Sequence, residues 1–144
     1  MNLVVIGFYG KSDSGKTSLI ERLIKEFNED GFKVATIKIT DKKISIDSEG
    51  KDTWKHSQAG AGIIVLSSPA ETDFIVKDKI ETNEIIKQIS LFGEYDIVLV
   101  EGANDPDILK IRLGNIKERK NTIYHYNDDF EEVVKLIKKK INEN

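Results

Sequence analysis

The chain has 144 residues, no cysteine, 22 basic and 25 acidic side chains, and a formal net charge of −3. That length suits one compact domain, 1–144, able to bury a core without staples. The lack of cysteine removes disulfides, thiolate metal sites and a cysteine nucleophile, and the near balance of charge gives no electrostatic ground for nucleic acid or an acidic membrane as a partner.

The first predicted element is a buried strand, Leu3-Val4-Val5-Ile6-Gly7-Phe8, an apolar run with no polar face. No basic leader precedes it and no apolar run approaches a membrane span, so a soluble, cytoplasmic protein is expected. Gly10-Lys11-Ser12-Asp13-Ser14-Gly15-Lys16-Thr17 follows and fits the phosphate-binding pattern GxxxxGK(S/T). From Ser18 to Phe27 apolar side chains recur at helical spacing, and Gly31 is placed to end that helix.

Strand, glycine loop and helix in this order make an anion site. Gly10 and Gly15 are expected to let the backbone turn its N–H groups inward, and the helix start adds its positive dipole end and unpaired amides. Gly10, Ser12, Asp13, Ser14, Gly15 and Ser18 are the expected lining of a nucleotide's phosphates. Lys16 is expected to reach the β- and γ-phosphates, and the Thr17 hydroxyl to join the shell of a magnesium ion.

A second strand is predicted over 34–37, completing a βαβ unit. Residues 38–53 are polar and irregular, with a short hairpin of Ile44 and Ile46 as one reading of part of the segment. It leaves the end of the second strand where α/β ligands bind, so Asp47 or Asp52 is a candidate second acid, with no ground to choose between them. A short helix is predicted over 52–59. Strands over 63–66 and 73–76 should pair antiparallel, because their connection is too short for a crossover.

A helix over 81–92 precedes Tyr95-Asp96-Ile97-Val98-Leu99-Val100-Glu101-Gly102, a buried strand ending in one carboxylate. Paired with the glycine loop, Glu101 reads as a magnesium ligand or a base for water. Strands over 108–113 and 122–126 and a helix over 128–141 complete the chain. His56 and His125 lack a third ligand at any metal spacing and read as structural. The fold class is α/β, a three-layer α/β/α arrangement with a mostly parallel sheet and one antiparallel strand pair.

Several of these residues together resemble the MobB proteins of molybdopterin guanine dinucleotide synthesis. The resemblance rests on residues 10–17, on Ile37-Lys38, on Asp47 with Gly50-Lys51-Asp52, on Ala59-Gly60-Ala61 and on residues 96–102. The chain departs from it at Ile39, where the family usually has histidine, at Asp41, Lys42 and Lys43 in place of nearby histidines, and at Ala103 and Asn104 after the Glu-Gly pair. The resemblance implies a P-loop NTPase fold and a GTP-binding adaptor, commonly a homodimer. Its implied partner is the guanylyltransferase that attaches GMP to molybdopterin in molybdenum or tungsten cofactor assembly. Guanine is implied by the resemblance alone, since no Asn-Lys-x-Asp element is present.

Two other function classes compete. A small-molecule kinase would need cations over the transferred phosphoryl group, and only Arg22, Arg112 and Arg119 are present, far apart in sequence. A phosphate-binding scaffold that never turns over nucleotide is the other. Without an evident arginine finger any hydrolysis should be slow, which suits a switch whose 38–53 segment responds to the γ-phosphate.

Overall fold

The computed structural model describes residues 3–143. Its contacts separate two compact units: the chain up to Thr40 together with the chain from Thr82 onward, and Asp41–Glu81 between them.

The first unit is built on β1 (Val4–Tyr9), which has no polar face because both of its faces are covered. Five strands lie parallel in the order β2-β5-β1-β6-β7, with β2 at Val34–Lys38, β5 at Ile97–Glu101, β6 at Leu109–Leu113 and β7 at Thr122–Tyr126. One face carries α1 (Lys16–Glu29) and α4 (Phe130–Asn142). There Ile6, Phe8 and Leu99 of the sheet meet Leu23 and Phe27 of α1 and Val133 and Ile137 of α4. The other face carries α3 (Thr82–Phe92), whose Ile85, Ile86 and Ile89 pack towards Val98, Val100 and Ile108. This is the three-layer arrangement read from the apolar runs.

Register decides what the sheet presents at its carboxyl end. Phe8 of β1 and Lys38 of β2 both pair with Glu101 of β5. The loop after β1, the end of β2 and the site carboxylate therefore stand side by side, at the end of a parallel sheet where ligands bind.

The second unit, described by itself, has an irregular stretch over 41–51, then α2 (Asp52–Gln58), β3 (Ile63–Ser67) and β4 (Thr72–Val76). β3 and β4 pair antiparallel, Val65 opposite Phe74, as their short connection requires. Ile44 and Ile46 form no hairpin. Ile44 lies in irregular backbone and Ile46 in a bend, and both are exposed, Ile46 fully, because neither is paired to a strand among the described residues.

Candidate functional site

The loop between β1 and α1 folds tightly before the helix begins. Ser14 N–H donates to the Lys11 carbonyl at 3.1 Å, and Asp13 and Gly15 both take the left-handed region at φ +64 and +95. Gly15 is the N-cap of α1, a position where a left-handed backbone favours glycine. Gly10 plays a different part from the expected one. Its φ is not left-handed. It is required for space, since a Cβ there would stand 2.6 Å from Ser14 Oγ and 2.7 Å from the Leu113 carbonyl.

Side chains complete the loop. The Ser14 hydroxyl is buried and has no hydrogen-bond partner among the described residues. A buried polar atom left unpaired costs free energy that an incoming acceptor recovers. Lys16 Nζ lies across the loop and donates to the Gly10 and Lys11 carbonyls, each at 2.9 Å. An ammonium has three donors, so one stays available to an anion. Ser12, Asp13 and Ser18 line the exposed rim, and the first amides of α1 have no acceptor within their own helix.

Thr17 and Glu101, 84 residues apart, meet here: Thr17 Oγ1 donates to Glu101 Oε1 at 2.6 Å. Lys38 Nζ lies 3.3 Å from the other carboxylate oxygen. Burial pushes the Glu101 carboxyl up, but the Thr17 hydrogen bond and the Lys38 ion pair, helped by Lys16, outweigh it and hold the group below its usual value. A cavity of about 150 Å³ adjoins this group, lined in part by Thr17, Glu21, Lys38 and Glu101.

The other two predicted acids belong to the second unit. Asp47 is half-buried, and its Oδ1 accepts from the Thr53 hydroxyl and the Ser48 amide, each at 3.0 Å, tying the irregular stretch to the start of α2. Asp52 is the first residue of α2, where a carboxylate favours the helix dipole.

The three arginines are all engaged. The Arg22 guanidinium lies 3.9 Å from the centre of the Phe130 ring. Arg112 donates to the Ile116 carbonyl at 3.1 Å and to His125 Nδ1 at 3.2 Å, while His125 Nε2 donates to the Gly114 carbonyl at 3.0 Å. One neutral tautomer of His125 satisfies both of its contacts. Arg119 donates to the Ala103 carbonyl at 2.7 Å and lies over the Tyr9 ring.

Sequence reasoning missed Lys38 as a member of the site. The Ile37-Lys38 pair had counted only towards the family resemblance, and the strand was read as ending at Ile37; β2 runs on to Lys38, which pairs with Glu101 of β5.

The sequence model of the family described as "Molybdopterin guanine dinucleotide synthesis protein B", MobB, matches residues 5–139. The chain belongs to the MobB family. Among curated relatives of this MobB-family chain, a Methanocaldococcus jannaschii protein, provisionally named a molybdopterin-guanine dinucleotide biosynthesis adapter protein, is 34% identical over 94% of the chain. The Haemophilus influenzae adapter protein of that name is 32% identical over 76% of it. The matched parts cover 61% and 62% of those relatives, so the chain spans about three fifths of their length. Among solved structures, Bacillus subtilis MobB superposes with a TM-score of 0.75 at 18% identity, over 95% of this chain and 97% of that one. A MobB homologue from Bacillus stearothermophilus gives 0.65 at 15% identity over the whole of both chains. At such identities the likeness speaks for the fold.

Proposed function

We propose that this chain binds GTP with magnesium in the 10–17 loop and serves as an adaptor for the guanylyltransferase that attaches GMP to molybdopterin. The observation that carries the phosphate site is the convergence of the unpaired Ser14 hydroxyl, the Lys16 ammonium and the Thr17–Glu101 pair at one end of the sheet. Each of the four groups answers a different part of a metal-bound triphosphate. Guanine and the enzyme partner are our reading of the family and of its relatives' names, which give an adapter role in molybdopterin-guanine dinucleotide biosynthesis.

The donor set suits magnesium. A hydroxyl and a carboxylate are hard oxygen ligands, and magnesium is commonly held by one or two side chains with phosphate oxygens and water completing its shell. Thr17 and Glu101 would hold it. Bound there, the ion would neutralise charge on the β- and γ-phosphates. The loop amides and Lys16 bind and orient the phosphates, and Glu101, held anionic by its two partners, is ready as a ligand.

The arginines favour an adaptor over a kinase. Each is spent on a ring, a carbonyl or a histidine, whereas phosphoryl transfer calls for cations aimed at the transferred group. Hydrolysis is therefore expected to be slow.

Calorimetric titration with magnesium and GTP tests the reading. Lys16→Ala should abolish measurable triphosphate binding while keeping the circular dichroism spectrum, because alanine is well tolerated in a first helical turn. Glu101→Gln should weaken binding in magnesium more than binding in EDTA. Unchanged affinity in Lys16→Ala would refute the phosphate site, and equal losses with and without metal would refute the role of Glu101. Pull-down from native cytosol with GTP or GDP tests the partner, with a pterin guanylyltransferase expected preferentially with GTP.

A further inference from the structure

The ion pair between Lys38 and Glu101 is made by two residues that face each other across a parallel strand pair, at the mouth of the phosphate site. Their situations are unequal. The Glu101 side chain is 14% exposed and also accepts from Thr17, whereas the Lys38 side chain is 66% exposed and is held at its tip alone. The carboxylate is fixed and the ammonium is on a flexible four-carbon stem.

We propose that Lys38 is a specificity-determining residue of the phosphate site: it is the counter-ion of Glu101 until a metal-bound triphosphate enters, then turns to the terminal phosphate and discriminates triphosphate from diphosphate. The proposal rests on the phosphate-site reading above and extends it to the end of the nucleotide. A divalent ion at Thr17 and Glu101 repels an ammonium that stands 3.3 Å from the same carboxylate. The lysine side of the pair is open to solvent, so water can take over the ammonium as the lysine yields to the metal.

Once displaced from Glu101, its ion-pair partner among the described residues, the ammonium needs a new anion. Lys16 already answers the inner part of the loop, with two of its donors on the Gly10 and Lys11 carbonyls. All three arginines are engaged with protein groups. Lys38 stands on the β2 side of Glu101, outside the loop. A terminal phosphate bound beside a metal that Thr17 and Glu101 would hold would offer that anion. A diphosphate lacks that group and leaves the displaced Lys38 ammonium to water alone. Discrimination then follows from one cation that diphosphate strands and triphosphate satisfies.

The test compares wild type, Lys38→Met and Lys38→Arg by calorimetry with GTP, GDP and inorganic tripolyphosphate, each in magnesium and in EDTA. In magnesium the wild type should prefer GTP over GDP, and Lys38→Met should reduce that ratio about tenfold, the worth of one partly exposed charge-assisted hydrogen bond. Magnesium should also reach half-saturation in the GDP complex at a several-fold lower concentration in Lys38→Met, because the competing cation is gone. Lys38→Arg should restore most of the ratio, which a merely structural lysine would not require. A GTP to GDP ratio and a magnesium midpoint that are both unchanged in Lys38→Met overturn the inference and leave the phosphate site standing. A wild type that binds neither tripolyphosphate nor either nucleotide overturns both.

Discussion

Gly102 follows the site carboxylate at φ +87, and a Cβ on it would stand 2.6 Å from the Ile39 carbonyl oxygen. The same turn is held by Gly102 N–H to the Phe8 carbonyl at 2.8 Å and by Ile39 N–H to the Glu101 carbonyl at 2.9 Å. Gly102→Ala should therefore cost about 1–3 kcal/mol from the backbone alone, read as a lower urea midpoint, and should weaken magnesium-dependent binding by moving Glu101. A variant as stable as wild type would show that the turn adapts. The glycine was legible as the residue after a strand-end acid. Lys110 was not. In Ile108-Leu109-Lys110-Ile111-Arg112-Leu113 the alternation points Lys110 towards solvent, yet it is completely buried. Its Nζ donates to the carbonyls of Asp105, Ile108 and Lys120, so it ties the connection from β5 to β6 to the one from β6 to β7. Only tertiary structure covers that face. Lys110→Met keeps the stem and removes the donors, and should cost about 2–3 kcal/mol by leaving buried carbonyls unpaired. Chemical denaturation checks it, and no loss would mean that water replaces the ammonium.

Helices were the easiest elements to read, because caps and apolar spacing are local. α1 ends at Glu29 with Gly31 left-handed at φ +85, as a C-terminal glycine implies. The start of α4 departs from the local rule. Asp129 is its N-cap, but the carboxylate makes no cap hydrogen bond and turns back to β7, where it accepts from the Tyr124 hydroxyl and from the Asn127 amide at 3.0 Å. The Tyr124 hydrogen bond, then that amide, hold the Asp129 carboxyl below its usual value, while the same carboxylate pushes the Tyr124 phenol up to about 12. The signs define a window. A lowered carboxyl stabilises the fold above its unfolded value, and that contribution disappears as pH falls through the folded one. A raised phenol stabilises below the unfolded tyrosine value, and that contribution disappears as pH rises towards about 12. Tyr124→Phe should thus lower Tm near neutrality and converge on wild type at both extremes. Melts over the whole pH range check it, and a constant offset would refute the coupling.

At the scale of the whole molecule the sequence shows that strands exist but not how they are ordered. The order β2-β5-β1-β6-β7 joins segments some 60 residues apart in β2 and β5, and periodicity carries no information about such pairings. The β3–β4 pair was legible because it is local, though its exposure was not. Ile64 is buried beneath it, while Ile63 opposite Val76 and Val65 opposite Phe74 present four apolar side chains on the other face, Ile63 at 61% and Phe74 at 54% exposure. A two-stranded sheet is marginal by itself, and contiguous exposed apolar surface commonly marks an interaction site. The homodimer implied by the family resemblance would cover this face by an isologous contact, in which the same four residues from each copy meet. Sedimentation equilibrium of the wild type should then show a dimer. Val65→Glu places a carboxylate at the centre of the face without touching buried Ile64, and should shift the population to monomer while GTP binding persists. A wild type that stays monomeric over the concentration range, or a Val65→Glu variant that remains dimeric, would exclude this face as the contact between copies.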